Sequence, residues 1–364
     1  MMHGTPRILI IRLSAIGDVV RVLPALHAIR DNHPYAQIDW AVEQKSAEAV
    51  LDHPALDQVI IFERPADKRE AVRAFRQFCK RVRAENYEVV VDFHGILKSG
   101  YLAWRSGART RYGFAPPRAQ EFSWLFTNKR TGLPREVLNR VEENLRLAEA
   151  LGPRPAHVIS TIAIPSDLEQ QVDHFVDDFY GDGKLLVAMH APVERAEKQW
   201  PLENYAALCD LLNGDGRFDV LLTWGPGQRP IVEKVADMCR RRPQIAPETA
   251  GLKDYAALLQ RCDIYIGGDT GPMHIAAAVN TPVLGIFGGT DPRRHAPFGA
   301  ACEVLYAGDA EGDSHGKEAS ERLAAITPED AYDACLRFLR GQKLLAGPGP
   351  MDIGDDESPG DDVG

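Results

Sequence analysis

The sequence predicts an α/β protein of two doubly wound, parallel-sheet domains that face each other across a cleft. Three observations carry that prediction. Short β-branched runs alternate with segments of helical period, the pattern of parallel strands covered by helices. The alternation occurs in two series, separated by a helical, proline-containing stretch at about residues 137–183. The length, 364 residues, suffices for two ordinary domains.

The first series opens with the strand RILIIRL (7–13) and the helix VVRVLPALHAIRD (19–31). QIDWAV (37–42), QVIIF (58–62) and EVVVD (88–92) are further strands, and a basic helix runs from Lys68 to Ala84. In the second series the strands are LLVAMH (185–190), FDVLLTW (218–224), DIYIGG (263–268) and PVLGIF (282–287). Between them lie the helical segments ENYAALCDLL, IVEKVADMCRR and KDYAALLQRC. The expected division is an N-terminal domain at 1–170, a C-terminal domain at 171–345 and an acidic tail at 346–364. The last 14 residues, MDIGDDESPGDDVG, hold six acids and no base, a disordered composition. AGDAEGDSHGKEAS (307–320) has the composition of a polar surface insertion.

Composition narrows the function. Hydrophobic residues make up 45% and charged residues 26%, as in a soluble globular protein. Apolar runs such as Ile8–Ile11 are far too short to span a bilayer, and the N-terminus lacks a signal-peptide pattern, so a cytoplasmic location is expected. The six cysteines are scattered without CxxC or a Cys/His cluster, which argues against a disulfide framework and a zinc site. Net charge is −10, and without the acidic tail the body is near −4, so nucleic acid is not an expected partner.

Four strand-to-helix loops carry chemistry. Ser14–Asp18 follows the first strand and has one glycine; neither GxGxxG nor a Walker loop is present. Asp18 there serves either as a helix cap or as a chemical group facing the cleft. GGDTGPMHIAAA (267–278) places Thr270 and Gly271 at a helix N-terminus, where free amides attract anions. Pro272 suits the first turn, and Asp269 and His274 flank it. The plain alternative is a turn capped by Asp269 or Thr270 with His274 half exposed. HAPVERAEKQWP (190–201) supplies Arg195 and Lys198, and a lysine in such a loop can hold a phosphate as a point charge. WGPGQ (224–228) is glycine-rich enough to admit a ligand.

The basic helix is the last candidate. Residues 64–83 hold eight bases and two acids, with Arg69, Arg73, Arg76, Lys80 and Arg83 on one face. Val72, Phe75, Cys79 and Val82 form a neighbouring stripe expected to pack inward. The face is either solvated or binds an anionic substrate or membrane surface.

Taken together, RLSAIGDVVRVLPAL (12–26) and GDTGPMHIAAAVNTPVLGIFG (268–288) resemble glycosyltransferase family 9, the bacterial heptosyltransferases. IDWAVEQ, ENYEVVVDFHGILKSG and WLFTNKR are similar to the type I members of lipopolysaccharide inner-core synthesis, and the likeness spans roughly residues 7–340. It implies a GT-B fold, two Rossmann-like domains with the active site between them. It also implies inverting transfer of L-glycero-D-manno-heptose from ADP-heptose to a Kdo residue of lipid A, with no metal and no cofactor. A type II enzyme, or a relative with another donor or acceptor, is the alternative. By this resemblance Asp18 is the general base and Lys198 contacts the donor phosphates. Asp269, Thr270, Gly271 and His274 hold the donor. Lys98 and Ser99 line the acceptor side, which Arg69 and Arg73 would extend toward the acceptor's anionic groups. The amphiphilic acceptor implies a peripheral contact with the cytoplasmic face of an anionic inner membrane. One departure is His94, where family members commonly carry Gln. A non-catalytic binder has no use for both Asp18 and Lys198, and a nicotinamide oxidoreductase is disfavoured by the missing GxGxxG.

Overall fold

The computed structural model describes residues 6–180, 183–308 and 316–345. The acidic tail and part of the 307–320 segment lie outside the described residues. Six strands form the first sheet: β1 (Arg7–Ile11), β2 (Gln37–Glu43), β3 (Gln58–Phe62), β4 (Val89–Asp92), β5 (Thr110–Phe114) and β6 (Lys129–Thr131). Six form the second: β7 (Leu185–His190), β8 (Phe218–Leu222), β9 (Gln244–Ile245), β10 (Ile264–Gly268), β11 (Val283–Phe287) and β12 (Cys302–Tyr306). The orders are β3-β2-β1-β4-β5-β6 and β12-β11-β10-β7-β8-β9, one topology used twice. Every strand pair is parallel. The alternation seen in the sequence therefore builds the expected pair of Rossmann-like sheets.

Around the first sheet lie α1 (Ile16–Val20), α2 (Leu23–Asn32), α3 (Lys68–Ala84), α4 (Leu97–Arg105) and α5 (Arg140–Ala148). The remaining helices are α6 (Ser166–Phe179), α7 (Leu202–Asp215), α8 (Arg229–Met238), α9 (Leu252–Gln260), α10 (Gly271–Ala278), α11 (Pro292–His295), α12 (Lys317–Ala325) and α13 (Pro328–Gly341). The predicted helix 19–31 is broken at Arg21–Val22, and a new helix starts with Pro24 in its first turn, where a missing N–H costs nothing. Residue 170 falls inside α6, and α6 packs on α9 while α5 packs on α2. A break ahead of Ser166 divides the packing more cleanly than one at 170/171.

Central strands are buried on both faces, as parallel sheets demand; Ile8–Ile11 and Ile264–Ile266 are almost wholly inaccessible. Trp40 and Trp200 are fully buried and each satisfies its indole N–H on a backbone carbonyl, Arg12 at 3.1 Å and Ile326 at 3.0 Å. The halves also bond to each other. The Glu48 carboxylate accepts from the Leu252 amide at 2.5 Å, occupying the bare N-terminus of α9, and Lys253 reaches Asp52 at 2.7 Å. Asn139 donates to the Ala296 carbonyl at 2.9 Å.

Candidate functional site

In open parallel sheets, ligands sit beyond the carboxyl ends of the strands where the order reverses. That reversal falls between β1 and β4 in one sheet and between β7 and β10 in the other. The loops leaving these four strands carry Asp18, Lys98 with Ser99, Lys198, and Asp269 to His274. The topology thus selects the motif loops singled out in the sequence, apart from WGPGQ, which follows β8.

Asp18 is in the first turn of α1, but Ala15 holds the cap position and no side-chain capping bond is made there. The capping role is thereby excluded. The carboxylate is instead bound by the guanidinium of Arg12 and by that of Arg21, the latter at 3.1 Å. Arg12 is buried and Arg21 largely so, at 8% and 10% side-chain exposure, whereas the Asp18 side chain is 39% exposed. The carboxylate is held from behind and remains open in front. Burial would push its pKa up; Arg12 and Arg21, aided by His274 and His94, outweigh burial and hold it well below the usual carboxylate range.

Across the domain boundary, Lys198 closes a turn at Ala196–Lys198 and donates to the Asp269 carboxylate at 2.6 Å and to its carbonyl at 3.2 Å. Thr290 donates to the same carboxylate at 2.9 Å. Burial would raise the Asp269 pKa; His274, Lys198 and Arg21 bring it far down. His274 is buried, not half exposed. Burial and the neighbouring Arg21 push its pKa down to about 4, so the ring is neutral near pH 7. Arg21 can only donate, so at 2.5 Å His274 Nε2 accepts and the ring proton sits on Nδ1. The same guanidinium lies 3.7 Å from Asp269 Oδ1. Arg21 therefore touches Asp18 on one domain and the 269–274 loop on the other.

Gly17 makes this approach possible. A Cβ on Gly17 would meet His274 Cδ2 at 3.1 Å and the Gly271 Cα at 3.3 Å. Thr270 occupies the N-cap position of α10 without a side-chain cap, so the first amides of the helix carry no capping side chain.

The residues expected on the acceptor side are arranged differently. The Lys98 ammonium pairs with Glu43 and lies 4.5 Å from the centre of the Phe62 ring. Ser99 is fully buried; its hydroxyl donates to Asp92 at 2.9 Å and accepts from the Ile96 amide at 3.1 Å. Asp92 also accepts from the amides of His94 and Gly95 at 3.0 and 3.1 Å, and burial pushes its pKa up to about 6. Ser99 thus shapes the β4–α4 loop from beneath and has no exposed surface to offer a ligand. His94 is pushed down to about 3 by burial and by Arg12, so its ring is neutral. Arg69 and Arg73 stand exposed on α3, outside the Asp18–Asp269 cluster and without ion-pair partners among the described residues. On that helix Phe78, Cys79 and Val82 are buried, but Val72 is 54% exposed, contrary to the inward stripe expected.

Arg195 pairs with Glu197 at 2.5 Å within its own loop. In WGPGQ, Gly227 has φ +77°, a left-handed conformation that favours glycine. Among the described residues, no group of three His, Cys, Asp or Glu side chains is placed to hold a metal ion, and no helix is long and apolar enough to cross a membrane.

Arg12 and Arg21 are the site residues that sequence reasoning missed. Signals existed: Arg12 is the one charge in the run ILIIRL, and Arg21 stands one helical turn after Asp18.

A family model described as glycosyltransferase family 9 (heptosyltransferase) matches residues 75–324. Lipopolysaccharide heptosyltransferase 1 of Escherichia coli K12 is 30% identical over 295 residues, which cover 79% of this chain and 89% of that protein. The lipopolysaccharide core heptosyltransferase OpsX of Haemophilus influenzae is 27% identical over 316 residues, covering 86% and 88%. Among solved structures, E. coli heptosyltransferase WaaC with ADP superposes with a TM-score of 0.71 at 25% identity, covering 92% of this chain and 99% of that one.

Proposed function

The chain belongs to glycosyltransferase family 9 and has the GT-B fold, and on that premise we propose that it moves L-glycero-D-manno-heptose from ADP-heptose to a Kdo residue of lipid A. The observation that carries the reading is a carboxylate open to the cleft, Asp18, joined through Arg21 to the 269–274 loop, whose Asp269 binds Lys198. Relatives named as lipopolysaccharide heptosyltransferases support the acceptor class. The WaaC structure with ADP supports the nucleotide.

In this reading the bond between the anomeric carbon and the ADP oxygen breaks, and its electron pair leaves with ADP. Lys198 and the Thr270–Gly271 amides stabilise that charge where it develops, in place of a divalent cation. An acceptor hydroxyl attacks the opposite face of the sugar, which inverts the anomeric centre, and Asp18 takes its proton. Arg12 and Arg21 keep Asp18 ionised and aimed. Asp269 and His274 order the donor loop. Lys98, Arg69 and Arg73 meet acceptor anions, and Ser99 acts through Asp92 on the loop that carries Lys98. The acceptor is a membrane lipid, so we place the enzyme at the cytoplasmic face of the inner membrane as a peripheral protein.

The test is mass spectrometry of Kdo-lipid A incubated with ADP-heptose and enzyme. One added heptose is the expected result. Transfer only to an already heptosylated acceptor, or from another sugar nucleotide, overturns the reading.

A further inference from the structure

Half of the exposed large hydrophobic residues of the described chain fall on three adjoining segments: Val72 on α3, Leu97 and Trp104 on α4, and Phe122 and Leu125 at the turn Ser123–Leu125. The rest are single and scattered, which is ordinary for a soluble surface. The three segments form one continuous wall. Phe75 of α3 lies against Tyr101 of α4, and Tyr101 and Trp104 both lie against Phe126. The Glu121 carboxylate accepts from the Leu97 amide at 3.1 Å, tying the turn to the cleft end of α4.

The backbone is bent to display these side chains. Glu121 and Phe122 are consecutive non-glycine residues in the left-handed region, at φ 51° and 61°, and Phe122 is 65% exposed. Such conformations cost energy and persist where surrounding structure or function demands them. Beside the wall, α3 presents Arg69, Arg73, Arg76 and Lys80 exposed and without ion-pair partners among the described residues. A protein of net charge −10 gathers positive charge here.

Building on the function proposed above, we propose that this wall, with Trp104, Phe122 and Leu125 as its apolar contacts and Arg69 and Arg73 beside them, docks on an anionic lipid surface. Tryptophan, phenylalanine and leucine next to a one-sign cationic face suit the bilayer interface: apolar groups enter the headgroup boundary while the cations stay at the phosphates. A protein partner of opposite charge would also satisfy the cations, but a lipid surface matches the apolar and cationic faces together. Leu97 and Lys98 open α4 at the cleft, so a docked enzyme would bring lipid headgroups to the side on which Asp18 is exposed.

The test is vesicle flotation of the full chain with phosphatidylcholine alone and with 30 mol% (about one lipid in three) phosphatidylglycerol. Binding is expected to the anionic vesicles, to weaken as salt rises, and to drop at least about tenfold in a Trp104→Ser/Phe122→Ser/Leu125→Ser variant. Melting temperature and ADP binding of that variant should match wild type. Wild type that ignores anionic vesicles, or a triple variant that binds as well, overturns the docking surface. So does a wild-type dimer that the triple variant converts to monomer, since the face would then belong to a second copy. These readouts need no sugar transfer, so they stand apart from failure of the assigned reaction.

Discussion

The C-terminal wall of the cleft and the outer wall formed by α3 and α4 carry their charges in opposite states. On the C-terminal side, Lys198 and Asp269 are mostly buried and bonded to each other, and Arg21 reaches over from the N-terminal domain to Asp269 and to the buried His274. On the N-terminal side, Arg69 and Arg73 are exposed and unpaired among the described residues, next to exposed Trp104 and Phe122. A buried network fixes its groups before any ligand arrives, which suits stabilising charge at one point of a reaction. An exposed cationic face gives weak, salt-screened attraction to a large anion. In the proposed reaction the C-terminal wall is therefore expected to govern chemistry, and the α3–α4 wall to govern encounter.

The largest effect should come from Asp18, the group between the walls. Asp18→Ala is expected to lower the transfer rate by about 10³-fold, measured as ADP release. Lys198→Ala should cost about 10²–10³-fold, and Lys198→Arg clearly less, because charge at that point matters more than shape. Equal losses in the two lysine variants would show that Lys198 acts by shape.

Arg21→Ala sharpens the comparison, since Arg21 joins Asp18 of one domain to the 269–274 loop of the other. The charged and titratable groups facing Asp18 are Arg12, Arg21, His94 and His274. Removing the Arg21 cation lets the Asp18 carboxyl rise from its depressed value, so the acid limb of kcat/KM should move to higher pH, with a rate loss of about tenfold. A uniform loss with an unmoved pH profile would reduce Arg21 to a packing role. On the exposed wall, Arg69→Ala/Arg73→Ala should raise the acceptor KM about fivefold at low salt and leave ADP affinity alone. An unchanged KM, or one equally raised at high salt, would remove those arginines from the acceptor path.

Asp92 gives a smaller effect on stability. Its folded pKa, about 6, is raised above the ordinary value by burial. The folded state therefore binds that proton more tightly than the unfolded chain, and stability falls as pH rises toward 6. Asp92→Asn lacks this term, so its stability relative to wild type should improve by up to about 3 kcal/mol from pH 4 to pH 7 in urea titrations. A pH-independent difference would contradict the buried, raised carboxyl.

How much of this was legible in the sequence follows the same inside-to-outside gradient. Central strands such as RILII and LLVAMH are read directly, because burial on both faces forces apolar runs. TRYGF, KRT, QI and CEVLY lie toward the sheet edges and carry a weak strand signal: KRT and QI are short, and TRYGF and CEVLY keep polar residues where part of the strand stays wet. Asp18, Lys198 and the 269–274 loop were legible because strand-to-helix loops at a sheet reversal have few other uses for acids and lysines. Arg12 and Arg21 were not, because only the fold brings them around one carboxylate. Ser99 was placed on the ligand side by its motif, and burial moves it beneath the loop.

The most direct test of the division between the walls is ADP affinity, measured calorimetrically for wild type, Asp18→Ala and Lys198→Ala beside their transfer rates. Asp18→Ala should bind ADP as wild type does while losing transfer, and Lys198→Ala should lose both. Loss of ADP binding in Asp18→Ala, or full ADP binding in Lys198→Ala, would contradict the assignment of base and donor clamp to opposite sides of the cleft.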